Sequence, residues 1–291
     1  VIAAKASPDQ EERYLRPIAA GTHITTLSLS EPGTGSFFYL PQTRFQRNAQ
    51  GFTVQGEKHF VTNGGYADSY VVSGTDHSAA GAGEFSMLLV DRDRPGLQWL
   101  DAWEGLGMRG NASRRLQLQD APVPAANLLG EEGDQVWFVF EVVAPYFLMG
   151  MSGTYVGVAQ ALLDETLADV SARRYPELGQ GLSELPGVQD AVADLWMQVQ
   201  RARGLLYQAA QLGDWGTPEA LLKILAAKVE ATETAVRVAD SVMRLGGGRA
   251  YRENGRRARL LRDALAGRVM APTTELLKSW LGRSLLGLPW F

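Results

Sequence analysis

Residues 188–209 read VQDAVADLWMQVQRARGLLYQA, and this stretch decides the fold of the second half of the chain. Its apolar residues recur at alternating spacings of four and three. They are Val188, Val192, Leu195, Val199, Ala202, Leu206 and Ala209. That spacing places all of them on one stripe of a long helix. The pattern therefore predicts a helix that buries one face against other helices.

The segment that follows repeats this design. Thr217 is a natural N-cap, Pro218 suits the first helical position, and Gly246 begins a glycine triplet that ends a helix. The predicted stripe consists of Leu221, Leu225, Val229, Thr232, Val236, Ala239 and Val242. Further helices are predicted at 146–173, 257–266 and 272–286. Residues 135–291 should therefore form a bundle of long antiparallel helices.

The first half of the chain has the period of β-strands instead. Phe52, Val54, Lys58 and Phe60 fall in an alternating run between two turn-rich stretches, so they predict a strand. Shorter strands are predicted at 70–72, 87–90, 97–100 and 115–118. Strands and helices do not alternate, so 22–134 should be a β-domain and the whole chain α+β, with the strands first.

Composition excludes several classes of function. The 291 residues carry 28 Lys plus Arg against 32 Asp plus Glu, a net charge of -4, so a nucleic-acid partner is not expected. There is no Cys, which rules out disulfides, thiolate metal sites and cysteine nucleophiles. The three histidines, His23, His59 and His77, match no zinc spacing, so no metal site is predicted.

Two features bear on location. The polar opening of the chain shows no signal peptide, which favours a cytoplasmic protein. Residues 142–163 carry no charge and would be long enough to cross a membrane. Pro145, Ser152 and Gln160 interrupt this segment, and acidic residues flank it. We therefore expect a buried core helix and no membrane partner.

The strongest local motif is Leu29-Ser30-Glu31-Pro32-Gly33-Thr34-Gly35-Ser36. Its glycines let a ligand approach the backbone, and the hydroxyls of Ser30, Thr34 and Ser36 suit a phosphate or a polar ring edge. Taken by itself, the motif is more typical of a turn that joins two strands.

Four further motifs follow in order. They are the strand and turn at 54–64, Gly105-Leu106-Gly107-Met108-Arg109-Gly110-Asn111, Leu245-Gly246-Gly247-Gly248 and Leu261-Arg262-Asp263-Ala264. In order and spacing, the five motifs resemble the middle and C-terminal parts of the acyl-CoA dehydrogenase family.

The resemblance covers nearly the whole chain. It implies a small β-sandwich or barrel domain followed by an antiparallel four-helix bundle, with residues 1–21 as the remainder of an N-terminal helical domain that is otherwise absent. It further implies an FAD-dependent oxidoreductase of fatty acid metabolism that acts on an acyl-CoA or a related thioester. A homo-oligomer, either a dimer or a tetramer, is expected.

The resemblance also implies which residues contact the flavin. In the β-domain, Ser30 and Ser36 occupy positions that meet the isoalloxazine ring and the pyrophosphate. Phe60 replaces the frequent Trp that covers the ring, and Thr62 is the donor to its edge. Such a donor would stabilise the charge of the reduced ring.

In the helical half, Arg173 matches an arginine that pairs with the FAD pyrophosphate of the adjacent protomer. From the residues alone, Arg173 is a cation at the C-terminal end of a helix. Gly246 and Gly247 match glycines that let the cofactor approach, and Thr273 matches the threonine beside the adenosine.

The sequence departs from the family at the catalytic base. The family removes the α-proton of an acyl thioester with a Glu, whose usual position is Ala271 here. The alternative position of the base, near the start of the first long helix, falls at Phe147, and the neighbouring Arg is Leu148. Glu275 is a typical helix-start acid, and Glu31 matches a family Glu that is not the base. Glu141 stays open as a base, so the catalytic residue is unknown.

An arginine-rich run follows the glycine triplet. It consists of Arg249, Arg252, Arg256, Arg257 and Arg259. Such a run could bind the phosphates of FAD or CoA, or DNA as in some family relatives. We favour a solvated face that pairs with Glu253 and Asp263.

Three functions of different class stay open at this point. The first is an acyl thioester dehydrogenase with a displaced base. The second is a flavin-dependent monooxygenase on the same fold, which needs no carboxylate over its substrate. The third is a non-catalytic partner subunit that keeps FAD.

Overall fold

The computed structural model describes residues 1–76, 84–133 and 138–290, so His77 lies outside the described residues. The chain divides into two compact units, one comprising 1–105 with 109–144 and the other 106–108 with 145–291. Each unit is described by itself. The division into 1–21, 22–134 and 135–291 stays a prediction.

The first unit opens with short helical turns: α1 (Ile2–Lys5), α2 (Pro8–Gln10), a π-helical turn (Glu11–Leu15) and α3 (Arg16–Ala19). Ser7 and Gln10 form a capping box at the start of α2. The amide of the Gln10 side chain also donates to the carbonyls of Ala126 at 2.8 Å and Leu128 at 2.7 Å. These hydrogen bonds tie the N-terminal turns to the end of the β-structure.

The described residues of this unit form eight strands: β1 (Thr25–Ser28), β2 (Arg44–Asn48), β3 (Gly51–Val61), β4 (Ser69–Asp76), β5 (Ser86–Asp91), β6 (Leu97–Trp99), β7 (Arg114–Pro124) and β8 (Leu128–Leu129). Their order is β6-β7-β3-β2-β4-β5-β8, and β1 pairs in parallel with β4. β2 joins the two halves of the sheet, because it pairs with β3 on one side and, through Arg44 and Phe45 among the described residues, with β4 on the other.

The core of the β-unit lies inside this folded sheet. Its buried members come from both halves: Phe45, Phe52, Val54, Val61, Ala67, Tyr70, Val72, Leu88, Val90, Leu116, Leu118, Ala121 and Val123. A Cβ on Gly74 would lie 2.4 Å from the ring of Phe45, so this glycine lets β4 pass close to the aromatic ring. The predicted small β-sandwich or barrel is confirmed.

The second unit contains five long helices. They are α4 (Ala144–Ala172), α5 (Pro186–Asp214), α6 (Ala220–Gly246), α7 (Arg256–Val269) and α8 (Thr274–Leu285). A short hairpin, β9 (Arg174–Tyr175) with β10 (Gln180–Gly181), separates α4 from α5. The predicted stripe of α5 is confirmed, because Leu195, Val199 and Ala202 are buried in the core of the unit. The predicted α+β fold is therefore confirmed in both halves.

The start of α6 was predicted wrongly. The helix begins at Ala220 rather than at Pro218, and the position before it, Glu219, makes no side-chain cap. The Thr217 hydroxyl donates instead to the carbonyl of Leu212, at 3.3 Å near the end of α5. Thr217 therefore closes the preceding helix, because the free carbonyls there compete for its hydroxyl.

One helix of the described chain is long and apolar enough to cross a membrane. It runs over Val139–Ala172 with a mean hydropathy of 1.3, and half of its most apolar window is buried. Met151, Tyr155 and Leu162 of this helix belong to the core of the helical unit. This burial agrees with the prediction of a core helix.

The stripe of α5 makes a testable prediction. Leu195→Ala should lower the free energy of unfolding by about 2–5 kcal/mol, because it leaves a cavity in the core. Denaturant unfolding followed by circular dichroism measures the loss. Met197→Ala is the matched control, since Leu195 is 1% exposed and Met197 is 46% exposed. Equal losses in the two variants would contradict the assignment of the buried face.

Candidate functional site

A buried ion pair anchors the motif at 29–36. The Glu31 carboxylate accepts hydrogen bonds from Lys58 Nζ at 2.5 Å, from the Thr43 N–H at 3.1 Å and from the Gln42 N–H. Lys58 also donates to Ser73 Oγ at 2.9 Å. All the charged atoms thus have partners, and both ends of the loop from Glu31 to Thr43 are fixed at one carboxylate.

Lys58 is the residue that the sequence reasoning missed. It lies on β3, is fully buried, and shares its buried face with Phe52 and Val54. Burial lowers the pKa of Lys58 to about 8, and the charge of Glu31 opposes that shift. At pH 7 the lysine is therefore still charged. The sequence did contain a signal for this residue, because Lys58 falls on the same face of the predicted strand as the inward-facing apolar residues. A cation on that face needs a buried partner.

β3 also aligns the motif with the predicted flavin contacts. The His59 N–H donates to the Ser30 carbonyl at 2.7 Å, so Ser30 lies beside the strand segment that leads to Phe60 and Thr62. Along the described chain, the hydroxyls of Ser30, Ser36 and Thr62 make no hydrogen bond to protein. These hydroxyls are free to meet a ligand. The roles predicted for Ser30, Ser36 and Thr62 stay predictions.

Phe60 does not follow the alternation that the sequence indicated. A β-bulge lies between Lys58 and Val61, and Phe60 has a φ of 54°. As a result Val61 is buried, whereas Phe60 is 62% exposed. The centroid of the Phe60 ring lies 6.0 Å from that of Trp103, in an edge-to-face contact. The bulge turns an aromatic ring outward, as a ring that covers a ligand requires.

Thr34 has a different role from Ser30 and Ser36. It is buried, and its hydroxyl donates to the Glu31 carbonyl at 3.2 Å. The Thr34 hydroxyl therefore stabilises the turn itself and is not available to bind a ligand.

The turn after β3 is held by a second motif. The Asn63 N–H donates to the carbonyl of Asn111 at 3.0 Å, and the Gly64 N–H donates to that of Ala112 at 3.2 Å. A Cβ on Gly64 would lie 2.8 Å from both Trp99 and Arg114, so only glycine fits there. These contacts bring the end of the 54–64 motif against the end of the 105–111 motif.

In the helical unit, Arg173 lies beside the glycine triplet. Its guanidinium donates to the carbonyl of Leu245 at 3.3 Å, to Asp169 at 3.4 Å and to the Tyr175 hydroxyl at 2.9 Å. The fold thus brings Arg173 and Gly246 together from distant parts of the sequence. A contact of Arg173 with a pyrophosphate stays a prediction.

Gly246 is required by close packing. A Cβ there would lie 2.6 Å from the Cβ of Ala250 and 2.7 Å from Nη1 of Arg257. Gly247, in contrast, has a φ of 57° and is exposed, with no atom near its missing Cβ. Its backbone is open to a ligand.

Two arginines of the arginine-rich run, Arg256 and Arg257, pair with acids of α4 rather than with the predicted partners Glu253 and Asp263. Arg257 contacts Asp169 at 3.2 Å, and Arg256 contacts Glu165 at 3.0 Å. Helix α4 carries these acids one turn apart, so they face the start of α7 together.

Asp263 has another function in the unit. Its carboxylate accepts the N–H of Met108 at 2.6 Å, and a Cβ on Gly107 would lie 2.4 Å from the carbonyl of Arg262. Two motifs that are far apart in the sequence are therefore in direct contact at α7.

Thr273 begins the final helix, as predicted. It is the N-cap of α8, and its hydroxyl accepts the N–H of Leu276 at 3.4 Å. The contact of Thr273 with an adenosine stays a prediction.

The positions where a base was sought carry no acid. Ala271 is half-buried, Phe147 is exposed and Leu148 is buried. Glu275 lies exposed in the first turn of α8, and Glu141 is exposed in a second π-helical turn (Phe138–Val143), which precedes α4. Glu31 is committed to Lys58. No described carboxylate combines burial with freedom from a partner at these positions.

Comparison with known proteins identifies two family models. The model described as acyl-CoA dehydrogenase, middle domain, matches residues 26–121. The model described as acyl-CoA dehydrogenase, C-terminal domain, matches residues 149–286.

Individual relatives agree with these models. A probable acyl-CoA dehydrogenase of Bacillus subtilis, YngJ, is 32% identical over 280 residues, which cover 96% of this chain and 72% of the relative. Cyclohex-1-ene-1-carbonyl-CoA dehydrogenase of Geobacter metallireducens is 33% identical over 282 residues, which cover 96% of this chain and 73% of the relative. The structure of butyryl-CoA dehydrogenase from Megasphaera elsdenii matches with a TM-score of 0.92 and 28% identity, covering 98% of this chain and 74% of the other.

The buried ion pair of Glu31 and Lys58 predicts a large loss of stability when its cation is removed. Lys58→Met should lower the free energy of unfolding by about 3–5 kcal/mol, because it leaves the Glu31 charge buried without its cation. Arg16→Met is the control and should lose less than about 1 kcal/mol, since its pair with Glu12 is solvent-exposed. Denaturant unfolding at pH 7 compares them.

A double variant sharpens this comparison. Adding Glu31→Gln to Lys58→Met removes the stranded charge, so the double variant should lose less than the sum of the two single losses. Strict additivity would show that the two side chains do not interact.

Proposed function

Because this chain belongs to the acyl-CoA dehydrogenase family of FAD-dependent oxidoreductases, we propose that it oxidises an acyl-CoA or a related acyl thioester without a carboxylate at position 271. The observation that carries the proposal is an asymmetry. The residues predicted to meet the flavin are present and accessible in part, whereas Ala271 and Phe147 stand where the family resemblance predicts the two alternative positions of the base.

The residues of the β-unit fit a flavin. Ser30, Ser36 and Thr62 supply free hydroxyls, and Phe60 supplies an exposed ring. A bound FAD would supply the acceptor for the hydride that leaves the β-carbon of the acyl group. The Thr62 hydroxyl would donate to the edge of the ring, and Phe60 would exclude water from its face.

The helical unit offers matching groups for the rest of the cofactor. Arg173 would pair with a pyrophosphate through its guanidinium, since arginine binds phosphate oxygens through parallel N–H donors. Gly247 has a positive φ and no atom near its missing Cβ, so its backbone is open to the same pyrophosphate. Thr273 would lie near the adenosine. We propose that these residues of the helical unit contact the pyrophosphate and adenosine parts of a cofactor.

The acyl substrate needs a proton acceptor from elsewhere. A methyl group at Ala271 cannot take the α-proton, and Glu31 is fully engaged with Lys58. We propose that the base is either a displaced acid, for which Glu141 is the candidate, or a group outside the described residues. The relatives named above carry substrates as CoA thioesters in their names, which supports this class of substrate.

A second function is favoured by the same substitution. A flavin-dependent monooxygenase on this fold needs no carboxylate over its substrate, so Ala271 and Phe147 would then be no defect. A non-catalytic partner subunit that keeps FAD is the third alternative. For all three functions we propose a cytoplasmic homo-oligomer, either a dimer or a tetramer, and the exposed Trp196, Tyr207 and Trp215 of the helical unit support self-association.

Anaerobic titration separates the three functions. The purified flavoprotein is mixed with acyl-CoA thioesters of increasing chain length while the visible flavin band is recorded. We expect the band to bleach with a preferred thioester. Bleaching only by an external reductase, followed by oxygen-dependent product formation, would assign the monooxygenase instead. Binding of the thioester without any redox change would assign the partner subunit.

Restoring the carboxylate gives a sharper test. Ala271→Glu should raise the rate of flavin reduction by an acyl-CoA by about 10²–10⁴-fold, the range that a placed general base contributes. Ala271→Gln introduces a side chain of nearly the same size as Glu, but its amide cannot accept the α-proton. This variant should therefore leave the rate of flavin reduction unchanged. Stopped-flow absorbance measures both variants. An equal rate in the two would show that position 271 does not face the acyl α-carbon.

The ring placement predicts a further effect. Thr62→Ala should weaken FAD binding by about 1 kcal/mol, the net value of one hydrogen bond. Thr53→Ala, at the opposite end of β3, is the control and should not change the affinity. Fluorescence titration of the apoprotein measures both constants. Equal losses would place the ring elsewhere.

A further inference from the structure

Lys228 is a fully buried cation in the middle of α6. Its ammonium group donates to the carbonyls of Gly267 at 2.9 Å and Pro272 at 2.9 Å, and approaches that of Met270 at 3.5 Å. A lysine has three N–H donors, so three backbone oxygens account for all of them. This side chain is fully used inside the protein.

The partners of Lys228 are dipoles rather than charges. Along the described chain, no carboxylate lies within ion-pair distance of its Nζ. The nearest acids that act on it are Glu275 on α8 and Glu233 on α6, and Glu233 is itself bonded to Arg268 at 2.7 Å. The carbonyls at the C-terminal end of α7 carry partial negative charge and hold the ammonium instead.

The carbonyls that Lys228 holds flank Ala271. Met270 precedes that residue and Pro272 follows it, so one ammonium group fixes the backbone on both sides of it. The same turn also contacts α4, where the Tyr155 hydroxyl lies 3.3 Å from Met270 Sδ. A Cβ on Gly267 would lie 2.7 Å from both Tyr155 and Thr232, so the last turn of α7 is packed closely against α4 and α6.

We infer that Lys228 is a positioning residue, which holds the α7–α8 turn so that Ala271 and the helix cap Thr273 keep their places in the cofactor and substrate site. The ammonium group takes no part in the reaction. It acts through the backbone, and its loss should release the turn rather than the bundle. The inference rests on the proposed function only for what Ala271 and Thr273 face.

The protonation of Lys228 supports this role. Burial lowers the pKa of Lys228 to about 8, while Glu275 and Glu233 raise it. Glu275 lies on α8 and Glu233 lies on α6, where it is bonded to Arg268 of α7. Below about pH 8 the ammonium holds its three carbonyls. Above that pH the neutral amine has one donor fewer, so the turn should be held less firmly.

Hydrogen exchange tests the inference without reference to catalysis. In Lys228→Met, the amides of Met270, Leu276 and Leu277 should exchange about tenfold faster than in the wild type, because the turn opens locally. Amides of α5, such as Val199 and Ala202, should be unchanged. Lys223→Met is the control, because it removes a lysine from the same helix that does not contact the turn. In this variant the amides of the turn should exchange at the wild-type rate. Equal acceleration in both helices, or none in the turn, would overturn the inference.

The wild-type protein supplies a second measurement in case Lys228→Met does not fold. Exchange of the same amides, corrected for the intrinsic pH dependence, is compared at pH 7 and pH 9.5. Protection of the turn should fall several-fold at the higher pH, and that of α5 should not. Unchanged protection of the turn would overturn the inference.

The link to the site is tested in the restored enzyme. If Ala271→Glu gains activity, adding Lys228→Met should lower kcat by about 10²-fold with little change in KM, since a misplaced base loses its reactive geometry. An unchanged kcat would overturn the positioning role. If Ala271→Glu gains no activity, position 271 does not face the acyl α-carbon, and the exchange measurements still decide the inference. Failure of the proposed function would appear separately, as a flavin band that no acyl-CoA thioester bleaches in the anaerobic titration.

Discussion

A buried ammonium group must find oxygen partners within the protein, because water cannot reach it, and this requirement shapes both units of the chain. Lys58 in the β-unit and Lys228 in the helical unit are fully buried. Each one draws a non-regular segment onto a regular element. Lys58 holds the loop that starts at Glu31, and Lys228 holds the turn around Ala271. The segments predicted to meet cofactor and substrate are therefore fixed by hydrogen bonds from buried cations.

The sequence predicted the regular elements well because their signals are local. The stripe of α5 and the alternation in β3 repeat within a few residues, so they can be seen without knowledge of the fold. The same holds for Thr273, whose hydroxyl caps a helix three residues away. The family resemblance added the candidate site, because it placed motifs from both halves in one order.

Long-range polar contacts were not predictable in this way. Glu31 and Lys58 are 27 residues apart, and Arg257 and Asp169 are 88 apart, with no period that relates them. Thr217 was placed at the wrong helix end because two helix termini compete for one hydroxyl. The bulge that exposes Phe60 depends on the pairing of β3 with β7, which no local pattern reveals.

The crowding at Gly267 restricts how this protein can change over evolutionary time. A side chain at position 267 has no space while Tyr155 keeps its ring and Thr232 its methyl group. A lineage that enlarges position 267 must therefore first make room at both neighbours. The order of the substitutions matters, and the reverse order passes through a protein that packs poorly. Directed evolution aimed at the turn around Ala271 should accordingly randomise 155, 232 and 267 together rather than one at a time.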